Sequence, residues 1–233
     1  MQECIDDDFG FFDDDWEELE KEYAELQHQN AILDEGFEWW EILEYVVLYS
    51  EEFELGLEQL KQGALVTLVK KEQDFSYLLG SLITGVVSLY EGFVHNIFDS
   101  CLDKNDFMEY ALNNVGNLTP KDQGYLKIPK NADVIVLKKC IKKVTLHDPV
   151  QIQRLAKSFF NLEFPSPNPE LYKRVIEIRN AFTHNSGRIN GEAVKLSTKD
   201  FLIVHDSFKR LAARYNNELV SSAKTFMDSH MDS

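Results

Sequence analysis

The stretch FSYLLGSLITGVVSLYEGFVHNIFDSCL, residues 75–102, decides the fold. It contains no proline, and its apolar residues recur at steps of three and four, the period of an α-helix. They cover a wide arc of that helix: Phe75, Leu78, Leu79, Leu82, Val86, Leu89, Phe93 and Ile97. Such a helix needs neighbours on several sides. We therefore predict an all-α bundle with residues 75–102 as its central helix.

A narrow stripe of the same helix is polar. Its members again follow helical spacing: Ser81, Thr84, Ser88, Glu91 and His95. Two interpretations are open. The stripe is either the solvent face of the helix, or a row lining a cleft in which Glu91 and His95 have a chemical role.

Further helices are predicted on both sides. A helix begins near Trp16, and an apolar seam predicts helix after residue 39: Trp39, Leu43, Val46, Ser50, Phe53, Leu57 and Leu60. Residues 63–71 fit either a continued helix or a short strand. Residues 117–131, with two prolines and a glycine, are predicted as a loop. Two helices follow, at about 132–144 and 149–162.

The last two helices carry local start signals. Asn168-Pro169 predicts a cap and first turn, and Ser197 with Asp200 forms a capping box. Between these helices, GRINGEAVKL (187–196) predicts a short hairpin-like turn. We expect three parts: an acidic N-terminal extension (1–35), a helical domain (36–229) and a frayed tail (230–233).

Charge is distributed unevenly along the 233 residues. The formal net charge is −16, but residues 1–74 hold 23 of the 40 acidic residues and four basic ones, a net −19, whereas residues 75–233 have +3. The basic residues of the second part concentrate in one segment: Lys121, Lys127, Lys130, Lys138, Lys139, Lys142 and Lys143. This patch is suited either to RNA phosphates or simply to solvent.

The remaining composition predicts a cytoplasmic protein. Three scattered cysteines form no paired framework and are expected to be free thiols. We find no 18-residue apolar run and no signal peptide, and we expect no membrane partner.

The helix predicted from residue 169 ends with side chains that are able to take part in catalysis. With 100° per residue, Leu171, Val175, Ile178 and Phe182 form its core stripe, and Arg179 lies on a flanking face. His184 lies about 140° from Arg179 on a regular helix, so a shared site needs either a loosened helix end or a second molecule. In the alternative interpretation, both side chains only offset the negative end of the helix dipole.

The segment Arg179-Asn180-Ala181-Phe182-Thr183-His184 resembles the signature of the HEPN superfamily (higher eukaryotes and prokaryotes nucleotide-binding), whose active members are mostly metal-independent ribonucleases. SLYEGFVHNIF (88–98) is similar to an earlier core helix of that family, with Glu91 at its glutamate. The resemblance covers roughly residues 36–225. It departs from the family's modified toxins at Ser186, where they carry a tyrosine, so that mode of control is not expected.

The resemblance implies an endoribonuclease that needs neither metal nor cofactor. Its catalytic residues would be Arg179, Asn180, His184 and Glu91. RNA would be bound by basic side chains: Lys138, Lys139, Lys142, Lys143 and Arg188. The ribose 2′-hydroxyl would attack the adjacent phosphate, leaving 2′,3′-cyclic phosphate and 5′-hydroxyl ends.

The family's active form is a homodimer that brings two motifs into one cleft. A toxin or anti-phage effector, with an antitoxin or defence-complex partner, is the expected role. Two alternatives remain: a non-catalytic module that binds RNA or protein, and an acidic nucleic-acid mimic built on residues 1–74. The acidic extension would also be able to restrain the body by docking on the lysine segment. Neither a zinc motif nor a GxSxG motif is found.

Overall fold

The computed structural model describes residues 13–69 and 74–231. These residues form eight α-helices: α1 (Asp13–Leu65), α2 (Ser76–Cys101), α3 (Asn105–Asn114), α4 (Pro120–Leu126), α5 (Val134–Lys142), α6 (Pro149–Phe160), α7 (Pro169–His184) and α8 (Thr198–Met231). Two 3₁₀ turns (Val66–Val69 and Val115–Asn117) and one hairpin of strands β1 (Arg188–Ile189) and β2 (Glu192–Ala193) complete them. The predicted all-α class is confirmed.

Helix α2 is the centre of the bundle, as predicted. It packs against α1, α7 and α8. The rings of Phe53 in α1 and Phe93 in α2 are stacked, with their centroids 5.1 Å apart. The hydroxyls of Tyr90 in α2 and Tyr215 in α8 are 2.8 Å apart and satisfy each other inside the core. Of the predicted apolar arc, Leu78 is the exception, since it is exposed.

Helix α1 is a single helix of 53 residues. It joins the helix start predicted near Trp16 to the seam predicted after residue 39, whose members are all buried or half-buried. The ambiguous segment 63–71 continues the helix to Leu65 and then forms the first 3₁₀ turn. The side chains of residues 16–31 are exposed, and none is ion-paired with the lysine segment. Residues 1–12 of the predicted extension and 232–233 of the predicted tail lie outside the described residues.

The loop predicted for residues 117–131 is wrong in its middle, where α4 forms. Thr119 caps this helix, accepting a hydrogen bond from the Asp122 amide over 3.1 Å, and Pro120 fits its first turn. Asp122 is also bonded to Arg154 of α6 over 3.0 Å. This long-range pair stabilises a seven-residue helix that local propensity does not predict.

Two further observations concern the hydropathy of α2 and the state of the cysteines. By length and hydropathy α2 is the one helix in the described ranges that is able to cross a membrane. The buried core helix of a soluble protein meets the same criterion. Cys101 and Cys140 are free thiols, as predicted, whereas Cys4 lies outside the described residues.

Candidate active site

The end of α7 is fixed by local backbone geometry. The Asn168 side chain caps its start, accepting bonds from the amides of the next turn, as predicted. His184 is its last residue, followed by Ser186 at φ 51° and Gly187 at φ 75°. The Gly187 amide donates to the Ala181 carbonyl over 2.9 Å, which closes a Schellman-type stop. The predicted hairpin then follows, with Asn190 and Gly191 at positive φ in its tight turn.

Phe182 locks this helix end against α2. A Cβ atom added to Gly80 would lie only 2.4 Å from the Phe182 ring, and one added to Gly187 would lie 2.8 Å from it. The Tyr77 ring meets Phe182 edge-on, with the centroids 5.7 Å apart. Glycine is therefore required at residue 80, because any side chain would push α7 away from α2. Arg179 and His184 consequently stand on a rigid support.

Arg179 is half-buried, and in the described part of the chain it has no ion-paired carboxylate. Its Nη1 donates to the Asn180 side-chain oxygen over 3.1 Å. Its Nε is buried and makes no hydrogen bond to any described residue. No aspartate or glutamate of the described ranges lies within ion-pair distance of its guanidinium. A buried, uncompensated cation is costly, so this geometry suits a residue that meets an anion.

Three further polar side chains belong to the same region of the structure as Arg179. Glu91 and His95 of α2 lie 3.8 Å apart, Oε1 to Nε2, and each is about one-fifth exposed. His95 Nε2 is also 3.1 Å from the Val144 carbonyl oxygen. His147 precedes α6 and interacts electrostatically with Arg179 and Glu91. The Nδ1 atoms of both histidines are buried and unbonded within the described part of the chain. We call Glu91, His95, His147 and Arg179 the polar cluster.

The electrostatics of the polar cluster favour a neutral His147. Burial, and next the positive charge of Arg179, lower the pKa of His147 below its usual value, against the opposing charges of Glu91 and Asp148. A neutral imidazole can accept a proton.

His184 and Asn180 lie at the rim of this site. Both are exposed, and α7 remains helical through His184. The predicted angular separation therefore stands, because five residues of regular helix divide Arg179 from His184. No hydrogen bond joins the two side chains. The structure brings His147, rather than His184, within electrostatic reach of Arg179.

The polar stripe of α2 has two characters. Ser81 and Ser88 are exposed, as the solvent-face interpretation requires, whereas Glu91 and His95 are half-buried, as the cleft interpretation requires. The segment 144–147 makes the difference, because it covers the second half of the stripe.

The predicted RNA-binding side chains are not equivalent. Lys138 and Lys142 form ion pairs with Asp99 of α2 at 3.5 Å and 2.9 Å. Lys139 and Lys143 are exposed and form no ion pair with a described residue. Arg188 is exposed at the hairpin and donates to the Gly191 carbonyl over 2.8 Å. Lys139, Lys143 and Arg188 are therefore the predicted RNA-binding side chains whose charge no described carboxylate compensates, and they are available to a phosphate.

His147 is the one member of the polar cluster that the sequence did not indicate. It stands outside any helix, in front of the Asp148 cap, so neither periodicity nor motif marks it. Only the packing of the 144–147 segment on α2 and α7 brings it to Arg179.

No group of three or more acidic, histidine or cysteine side chains in the described ranges is arranged to hold a metal ion. The chain matches no known protein family, curated protein or solved structure.

Proposed function

We propose that this protein is a metal-independent endoribonuclease of the HEPN type that acts as a homodimer. The observation that carries the proposal is Arg179: its guanidinium sits on a rigid helix end and forms no ion pair with a carboxylate of the described residues. Exposed Asn180 is adjacent to it in α7, and exposed His184 is the last residue of the same helix, five residues further along. A fixed cation next to exposed polar groups is what a phosphate ester needs for binding and proton transfer.

The chemistry follows from these side chains. A histidine removes the proton of the ribose 2′-hydroxyl, whose oxygen then attacks the adjacent phosphorus. The bond to the 5′-oxygen breaks, and that oxygen takes a proton from a second acid. Arg179 offsets the charge of the pentavalent phosphorus. The products are a 2′,3′-cyclic phosphate and a 5′-hydroxyl, with no change in redox state.

A second copy supplies the second proton-transfer group. Each chain offers one exposed His184, whereas the reaction uses both a base and an acid. A two-fold axis at the α7 end would place two His184 side chains in one cleft and would also remove the angular separation within one helix. Glu91 and His147 act as positioning residues, since both are half-buried and His147 interacts electrostatically with Glu91 and with Arg179.

The proposed role is that of a toxin or anti-phage effector, which requires the activity to be restrained by a partner or trigger. The alternative is a non-catalytic module in which Arg179 and His184 merely stabilise a helix end. The place of His184 as the basic residue in the last turn of α7 favours that alternative, because a cation there offsets the helix dipole. An acidic nucleic-acid mimic is the third possibility, because the side chains of residues 16–31 are fully displayed.

The experiment incubates the purified full chain with total RNA in the presence of EDTA and identifies the product ends. Wild type should generate 2′,3′-cyclic phosphate ends, and His184→Ala should not. His28→Ala, which removes an exposed histidine of α1, is the matched control and should cleave like wild type. Equal activity of His184→Ala and wild type would refute the assignment.

The shared cleft is tested separately with mixed dimers. A dimer of wild type with the Arg179→Ala/His184→Ala double variant should be nearly inactive if both copies build one cleft. About half of the activity is expected if each copy holds a complete site.

A further inference from the structure

The first half of α1 carries an exposed apolar seam with a heptad repeat. Its members alternate at steps of three and four: Trp16, Leu19, Tyr23, Leu26, Asn30, Leu33, Phe37 and Trp40. The apolar ones are all 54–65% exposed. This is the a/d pattern of a coiled coil, with Trp16, Tyr23, Asn30 and Phe37 at a and the leucines and Trp40 at d. We call these eight residues the α1 seam.

The α1 seam does not serve the protein's own core. The side of α1 that packs on the bundle is a different one, carried by Trp39, Ile42 and Val46. Every side chain from residue 16 to 31 is exposed, so this part of α1 extends beyond the bundle. An unsupported helix of this length is marginal in water, and an apolar stripe of this size marks an interaction surface.

We propose that the α1 seam pairs with the same seam of a second copy, forming a parallel two-stranded coiled coil over residues 16–40. The proposal does not depend on the ribonuclease assignment. The seam adjoins the last turns of α8, whereas the hairpin and His184 adjoin its first turns. At 1.5 Å per residue, the two surfaces are on the order of 40 Å apart.

Asn30 specifies the parallel orientation. In a parallel pair it faces Asn30 of the second copy, and the two amides can bond to each other. In the antiparallel pair that keeps residues 16–40 matched, Asn30 would instead face Leu26 and lose its partner. A single buried asparagine at an a position sets register and strand number in this way.

The buried area is sufficient for a stable dimer. Four aromatic side chains, each of about 150–250 Å² and each about 60% exposed, supply on the order of 500 Å² per copy. Three leucines bring the seam towards the roughly 800 Å² per partner of a standard interface. The seam also continues into an apolar groove of about 490 Å³, where Leu33, Phe37 and Trp40 face Phe226 and Met227 of α8.

Charge outside the seam gives this dimer a distinctive salt response. Residues 16–41 hold nine carboxylates and one lysine, most of them pointing away from the seam. Two such helices repel each other over the Debye length. Raising the salt concentration from about 0.05 M to about 0.5 M should therefore tighten the dimer, whereas pairing with a basic partner would weaken.

The test measures the mass of the full chain by sedimentation equilibrium at both salt concentrations. Wild type should dimerise, more tightly at high salt. Leu26→Ser should weaken dimerisation at least about tenfold, because both copies lose a buried leucine. Ala24 lies outside the α1 seam, at position b of the heptad. Ala24→Ser is therefore the matched control and should behave like wild type. Leu26 and Ala24 are both exposed, so neither change threatens the fold.

Orientation is tested by oxidation of Leu26→Cys, which should form an interchain disulfide only when two d positions face each other. Wild type, treated identically, controls for the native cysteines. A dimer of unchanged affinity in Leu26→Ser would overturn the seam contact while leaving the proposed cleft dimer intact. A monomer at every salt concentration that binds a synthetic heptad peptide with lysines at e and g would instead assign the seam to a basic partner.

Discussion

Two arginines of this bundle have opposite environments. Arg154 of α6 is fully compensated: its Nε and Nη2 donate to the Asp122 carboxylate over 3.3 Å and 3.0 Å, and the carboxylate is buried. Among the described residues, Arg179 of α7 has no carboxylate partner, and its buried Nε has no hydrogen-bond partner. Both are held on helices and both are partly covered.

The difference between the two arginines distinguishes a structural role from a functional one. The charge of Arg154 is compensated by Asp122 within the fold, so its role is to hold α4 against α6. The charge of Arg179 is not compensated by any described carboxylate, and an external anion would compensate it. The contrast is useful because the two residues share a side chain and differ only in what the fold provides.

The largest expected effect is on catalysis at the Arg179 end. His184→Ala should lower the rate of RNA cleavage at least about 10²-fold, the usual contribution of a proton-transfer group. The melting temperature should hardly change, since the His184 side chain is exposed and makes no hydrogen bond to another described residue. Single-turnover cleavage and calorimetry together check this. A parallel fall in melting temperature and activity would point to a structural histidine.

The opposite pattern is expected at the compensated arginine. Arg154→Ala leaves the Asp122 carboxylate buried without its ion-pair partner, and we expect a loss of about 2 kcal/mol in the free energy of unfolding, reduced from the cost of a fully buried pair because Arg154 is 35% exposed. RNA cleavage at a temperature where the protein is folded should be unchanged. Urea unfolding measures the loss, and an unaffected midpoint would show that α4 is held by other contacts.

A smaller effect is expected from His147. Its folded-state pKa is lowered, so the unfolded chain binds the proton more readily than the folded protein. Its contribution to stability is present above the ordinary histidine pKa and is lost as the pH falls through that value towards the folded pKa. His147→Gln should therefore flatten the decrease in stability between about pH 7 and pH 5. A wild-type slope in this variant would mean that other groups carry the pH dependence.

The smallest effect is expected from Glu91, which acts through its neighbours. Glu91→Gln keeps the shape and removes the charge beside His95 and His147, so cleavage should fall by roughly two- to fivefold, the scale of a partly exposed charge interaction. The pH optimum should move to lower pH, because losing the carboxylate removes a charge that raises the pKa of His147. Ser88→Ala, on the exposed half of the stripe, is the matched control. A reduced rate with an unmoved pH optimum would contradict the positioning role.

Local signals predicted most of the fold. The caps at Asn168 and Ser197, the Asn190-Gly191 turn and the apolar arc of α2 each act within a few residues, so the sequence shows them directly. Helix α4 was missed because its stability comes from Asp122 reaching Arg154, 32 residues later. The candidate site divides in the same way: Arg179 and His184 are indicated by a short stretch of sequence, whereas His147 comes near Arg179 through tertiary packing alone.

The most direct test compares the two arginines in one binding experiment. Arg179→Ala and Arg154→Ala are each introduced into the His184→Ala background, which prevents cleavage, and the affinity for a short labelled RNA is measured over a salt series alongside the melting temperature. We predict that Arg179→Ala weakens binding about tenfold and lowers the salt slope by about one, with an unchanged melting temperature. Arg154→Ala should lower the melting temperature and leave the affinity unchanged. Unchanged RNA affinity in Arg179→Ala would contradict the account.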